Sequence, residues 1–205
     1  MILAWGVWLG LDLHGREIWW LLAAAAPLAF LAADFLSGFV HFLADNVGTP
    51  QTPWLGPTFI QPFREHHANP RAITRHDFVE VNGNNCMVIA PVLMTLTYAL
   101  PAASGPWVLG INFFALCLFL GIFLTNQIHK WAHEPSPPKA VALLQRWHLI
   151  LPPAHHDVHH ASPFDTYYCI TCGWLNPVLA KYQVFERLTR LAQWAGRPLF
   201  WWRVS

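Results

Sequence analysis

Two apolar runs separated by only three residues constrain this chain more than any other feature. Residues 86–103 and 107–128 each approach the roughly 20 residues a membrane-spanning helix needs. Ser104, Gly105 and Pro106 join them, so they predict a helical hairpin whose open ends emerge on one side. A third run, 18–44, is interrupted only by Asp34, Ser37 and His41. Charged residues are 11% of the chain, against about 25% in a soluble domain. The expected fold is all-α, a multi-pass membrane helical bundle built as a single domain over 1–205. Residues 1–17 lack the positive n-region of a signal peptide and read as an interfacial lead-in. Residues 129–205 read as cytoplasmic and interfacial helices, with Trp174, Trp194, Trp201 and Trp202 at headgroup level.

This topology gathers the histidines. The chain has 12 of them, and all but His14 fall on the side where the hairpin opens. Eleven of the 12 Lys and Arg residues, all but Arg16, lie on that side too. The positive-inside rule makes it cytoplasmic. The bundle is therefore expected to carry a cytoplasmic histidine-rich di-metal cap, with the bacterial inner membrane favoured over the endoplasmic reticulum. Net charge is +1 with no basic stripe, which gives no reason to expect nucleic acid.

Each histidine segment has a bland reading beside a ligating one. Asp34, Ser37, His41 and Asp45 recur at helical spacing, as a hydrogen-bond seam or as the wall of an interior site. His41 and Asp45 could share one metal, or Asp45 could orient a ligand imidazole. His66 and His67 sit in a polar loop with Arg64, and His76 follows; Arg64 could instead meet a lipid phosphate. His129 and His133 are four apart where the third run ends, which stacks both on one helical face. The H-x-x-x-H pattern lacks the glutamate of a zinc protease. His155, His156, His159 and His160 follow Pro152-Pro153, a reasonable helix start. If that segment is helical, His155 and His159 share one face and His156 and His160 the next. His148 is left open between ligand and bystander.

The four cysteines give no disulfide framework: Cys86 and Cys117 fall in apolar runs, and Cys169-x-x-Cys172 lacks a βαβ redox context. Packing near the site is the favoured role for that pair. Nine to eleven candidate imidazole nitrogens exceed what one mononuclear site can use. Structural zinc uses four ligands, and haem one or two histidines. Two irons in a nitrogen-rich cage fit the count, with O2 as co-substrate. No dinucleotide, haem-attachment or iron–sulfur motif is present, so electrons must come from a separate carrier.

Five segments occur in order: Phe63-Arg-Glu-His-His67, Ile73-Thr-Arg-His-Asp-Phe78, His129/Trp131/His133, His155-His-x-x-His-His160, and Tyr168-Cys-x-Thr-x-Gly-x-x-Asn176. Together they resemble the Kua/CarF lipid desaturase family, over about Asp34 to Asn176. The resemblance implies a membrane di-iron enzyme that consumes O2 and external electrons, delivered by a cytochrome b5-like or ferredoxin-like donor with its reductase. Its best-known members are plasmanylethanolamine desaturases, which form the C1–C2 vinyl ether bond of the sn-1 alkyl chain of an ether phospholipid. A plant branch desaturates a phosphatidylglycerol acyl chain; the Phe-Arg-Glu-His-His and Thr-Arg-His-Asp-Phe segments look closer to the plasmanyl branch. The metal positions carried over are His41, Asp45, His66, His67, His76, His129, His133, His155, His156, His159 and His160. Arg64, Asp34 and Asn176 are expected to touch the phospholipid substrate. A fatty-acyl desaturase or hydroxylase is the alternative within enzymes, and a non-catalytic membrane metal-binding or regulatory protein the alternative outside them.

Overall fold

A computed structural model describes residues 18–99 and 105–194. These form helices and no strands, as the all-α expectation requires. The expected lead-in over 1–17, residues 100–104 leading into the hairpin turn, and the tail tryptophans Trp201 and Trp202 lie outside the described residues.

Three long helices make the bundle: α1 (Trp19–Asn46), α3 (Phe78–Ala99) and α4 (Pro106–Ala132). Among the described residues, α1 and α4 are long and apolar enough to cross a membrane. They run parallel: Ile18 packs on Leu109 at one end, and the rings of His41 and His129 lie 5.9 Å apart at the other. Helix α3 runs antiparallel to α4, with Ile89 and Leu93 against Phe119 and Ala115. The C-termini of α1 and α4 and the N-terminus of α3 therefore meet at one end of the bundle.

Small residues set how closely α1 and α4 approach. Ala25, Ala29 and Ala33 are buried at intervals of four residues and form one stripe. A Cβ built on Gly121 of α4 would lie 2.6 Å from the Ala33 Cβ, so no larger side chain fits there. Replacing Gly121 with valine is expected to cost about 1–3 kcal/mol as the helices are forced apart, read as a lowered melting temperature in detergent. An unchanged melting temperature would show that this contact is slack.

Helix α3 starts at Phe78, well before the expected span at 86–103. Its added turns are polar yet still packed. Asn85 donates to the Ile122 carbonyl at 2.7 Å, Asn126 to the Val81 carbonyl at 3.0 Å, and Asn82 to Gln127 at 3.4 Å. Asp77 and Glu80 cap the start reciprocally: Asp77 Oδ1 accepts from the Glu80 amide, and Glu80 Oε2 from the Asp77 amide, each at 2.9 Å. Hydropathy alone could not reveal a helix whose polar turns are paired across an interface.

Shorter elements close the end of the bundle where the polar residues collect. A wide turn over Gly56–Ile60 leads into α2 (Gln61–Ala68) and a tight helical turn over Pro70–Arg75. After α4 come α5 (Lys139–Arg146), α6 (Pro153–His156), α7 (Asn176–Lys181) and α8 (Val184–Trp194). The segment between α6 and α7 returns to α1 and lies along its polar half.

Candidate functional site

The alanine stripe of α1 continues as Asp34, Gly38, His41 and Asp45, all buried. Asp34 holds the returning segment. Its Oδ1 accepts the amides of Cys172 and Gly173 at 2.8 Å each, and its Oδ2 the Leu175 amide at 3.2 Å. Gly173 sits at φ +75°, where a side chain is strained, and a Cβ there would press on the His155 ring at 2.6 Å. Asn176 clamps the same loop by exchanging hydrogen bonds with the Cys169 backbone at 2.8 and 2.9 Å. Asp34 thus spends both oxygens on backbone, as does Asn176 its oxygen, while the Asn176 amide nitrogen also lies 3.3 Å from His155 Nε2.

With that loop fixed, nine side chains converge in two adjacent groups. His66, His129, His133, His156 and His160 form one; His41, Asp45, His67 and His159 form the other. Within each group the ligand atoms lie within 4.8 Å of one another. Helix geometry explains the sorting. His129 and His133, four apart on and just beyond α4, share a face and a group, as expected from spacing. His66 and His67 are consecutive in α2, so their rings diverge by about 100° and each enters a different group.

The C-terminal cluster departs from a continuous helix. Helix α6 ends at His156 and the chain then turns. His156 and His160 still meet in the first group, while His159 reaches the second. His155 does not join its expected face-mate: its Nε2 donates to the Gly173 carbonyl at 2.9 Å. His76 also lies outside both groups, beside Glu80 at 3.2 Å. His148 belongs to neither, and sits at φ 55° with its carbonyl accepting from the Trp174 indole. Arg64 turns to the Gly48 carbonyl at 2.9 Å.

The donor atoms fit cations. In the first group the Nε2 atoms face each other: His129 and His156 at 2.8 Å, His66 and His133 at 2.9 Å, His156 and His160 at 3.1 Å. Five ring nitrogens cannot all be satisfied by donating to one another, and neutral lone pairs at these distances repel. Burial first, and neighbouring imidazoles second, hold His66, His133, His156 and His160 below the ordinary histidine range, with His133 at about 4. These rings are neutral at pH 7, the form that binds a metal.

In the second group two backbone carbonyls fix the tautomer. His41 Nδ1 donates to the Tyr168 carbonyl at 3.1 Å and His159 Nδ1 to the Thr166 carbonyl at 2.7 Å. Each Nε2 is left free to ligate. Asp45 Oδ2 lies 3.1 Å from His67, 3.4 Å from His41 and 3.5 Å from His159, while its buried Oδ1 has no partner. A carboxylate there calls for a fixed positive charge. The Thr166 and Tyr168 carbonyls carry no side-chain signal, although Tyr168 opens the last of the recurring segments.

Cys169 and Cys172 are free and buried. Burial, with the Asp34 charge second, raises both thiols far above the ordinary range, so neither offers a thiolate for ligation or exchange. This agrees with a packing role.

A cavity of about 420 Å³ reaches the first group, with His66 and His129 in its wall and His76 and Glu80 further out. No residue of the second group lines it.

Comparison with known proteins accords with this arrangement. The model of a lipid desaturase domain matches residues 30–197. A plasmanylethanolamine desaturase of Myxococcus xanthus is 50% identical over 176 residues, covering 86% of this chain and 62% of that protein. Plasmanylethanolamine desaturase 1 of Mus musculus is 47% identical over 171 residues, covering 80% and 62%. The chloroplastic fatty acid desaturase 4 of Arabidopsis thaliana is 35% identical over 185 residues, covering 87% and 54%. The chain thus spans less than two thirds of the length of these relatives, and no solved structure matches it. Matched over most of its length, including every residue of both ligand groups, the chain belongs to the lipid desaturase family.

Proposed function

We propose that this chain is an O2-dependent di-iron membrane lipid desaturase that forms the C1–C2 vinyl ether bond in the sn-1 alkyl chain of a plasmanylethanolamine. The observation that carries this reading is the pairing of a five-histidine group with a three-histidine, one-aspartate group in adjoining positions. Two nitrogen-rich sites side by side suit a pair of irons better than one zinc, whose structural sites close with four ligands. The two relatives near 50% identity supply the substrate class.

Bound iron supplies O2 activation and the removal of hydrogen from an unactivated carbon, which no side chain achieves. The protein's own groups do the rest. The Thr166 and Tyr168 carbonyls aim His159 and His41, and the Asp34 and Asn176 clamps hold the loop that bears those carbonyls. The near-complete burial of the second group keeps water from it. In the net reaction a pair of hydrogens leaves the alkyl chain and O2 becomes two waters. An external donor, cytochrome b5-like or ferredoxin-like with its reductase, supplies the remaining pair of electrons, and two protons come from solvent.

The same reading makes the chain multi-pass, with α1, α4 and the apolar part of α3 in the bilayer and the histidine end toward the cytoplasm. Exposed apolar side chains along α3 and α4, among them Met87, Tyr98, Trp107 and Ile111, support lipid contact, and the excess of Lys and Arg at the histidine end supports the orientation.

Metal analysis of the purified protein is expected to give about two irons per chain. Zinc at about one per chain would sink the di-iron reading. In cells lacking plasmalogens, expression should yield acid-labile vinyl ethers; new acyl double bonds without vinyl ethers would favour the acyl-desaturase alternative.

A further inference from the structure

The reacting carbons of the proposed substrate adjoin the ether oxygen, with glycerol, phosphate and headgroup following directly. If they reach a metal group, the headgroup must enter the protein as well. The cavity beside His66 and His129 reaches the first ligand group, and its lining is unbalanced in charge. It contains the carboxylates of Glu65 and Glu80 and no lysine or arginine. Its neutral donors, Asn69 and Asn84, can meet phosphate oxygens without compensating their charge. Arg64 donates to the Gly48 carbonyl and Lys130 to the His76 carbonyl, and neither lines the cavity. Glu65 is exposed and Glu80 is 59% exposed, whereas His66 and His129 are buried, so the acids stand at the mouth and the imidazoles at the inner wall.

We infer that this cavity receives the glycerophosphate end of the lipid and that Glu65 and Glu80 select a zwitterionic headgroup by pairing with its ammonium. A cationic terminus neutralises its own phosphate and meets the carboxylates; an uncharged glycerol terminus leaves an anionic phosphate facing two more anions. This rests on the desaturase reading above and goes further, naming the residues that choose the lipid.

The test uses the full chain, loaded with iron and reconstituted in vesicles of neutral carrier lipid with reductant. Alkyl-acyl lipids bearing ethanolamine or glycerol headgroups are offered separately. The native protein is expected to favour the ethanolamine lipid. Glu65→Gln should raise its KM about fivefold with kcat little changed, and should narrow the preference over the glycerol lipid. Glu80→Gln should act in the same direction. Because Glu80 also caps α3, helical content and iron are measured for that variant, and Glu65→Gln carries the decision if it unfolds. Equal use of both lipids by the native protein, or an unchanged preference in Glu65→Gln, overturns the headgroup assignment while vinyl ether formation leaves the desaturase reading standing. No vinyl ether from either lipid overturns both.

Discussion

His159→Ala is expected to abolish vinyl ether formation and to lower bound iron from about two per chain to about one. The side chain is fully buried, with Nε2 3.2 Å from His41 Nε2 and 3.5 Å from Asp45 Oδ2. Alanine removes one of four donors from the second group and leaves the Thr166 carbonyl without its imidazole partner. That unmade hydrogen bond costs about 1–3 kcal/mol, so stability falls as well. His159→Gln separates the effects, since its amide can still donate to that carbonyl and fills much of the volume. Iron content, helical circular dichroism and product are measured together. Retained product with two irons bound would remove His159 from the metal site. His155→Ala supplies the contrast: its ring spends its proton on the Gly173 carbonyl outside both groups, and both irons should remain.

The largest effect on stability is expected at Asp34. One carboxylate serves three amides of a single turn, two of them buried, and Asp34→Ala would orphan all of them. Charge-assisted bonds are worth about 1.5–3 kcal/mol each, and since they act as a unit the combined loss should be near 4 kcal/mol. That is a large part of the roughly 5–15 kcal/mol that holds a domain folded. Thermal unfolding in detergent should show a transition many degrees lower, with weaker iron retention because the loop carries the Thr166 and Tyr168 carbonyls. Asp34→Asn keeps an acceptor but brings an NH2 toward amide donors, so it should fall between. A nearly unchanged midpoint in Asp34→Ala would mean that the loop is held by other contacts, such as the Ser37 hydroxyl that accepts from the Ile170 amide at 3.0 Å.

What was legible in the sequence followed from periodicity. The apolar runs gave the long helices, the three-residue gap brought their polar ends together, and the four-residue spacing of His129 and His133 put both in one group. Spacing failed where the backbone stopped being regular. The chain leaves α6 at His156, which sends His159 and His155 to different partners although both lay on one expected face. His76 resembles a ligand by its neighbours in sequence, but the cap at the start of α3 holds it beside Glu80. Asp34 and Asn176 looked like groups awaiting a substrate because their partners are backbone amides and carbonyls, which any sequence offers. The polar start of α3 was missed for a related reason: its asparagines are satisfied by α4, and only the folded pair makes that visible.

The clamp between α1 and the returning loop joins residues 138 and 139 positions apart, and His41 meets the Tyr168 carbonyl across 127. Such contacts close only after nearly all the intervening chain has been made. During synthesis α1 leaves the ribosome with Asp34 and His41 on its inner face long before their partners exist. The second group is therefore completed late in synthesis, and a nascent chain stalled before residue 166 would carry the ligand side chains without the carbonyls that orient His41 and His159.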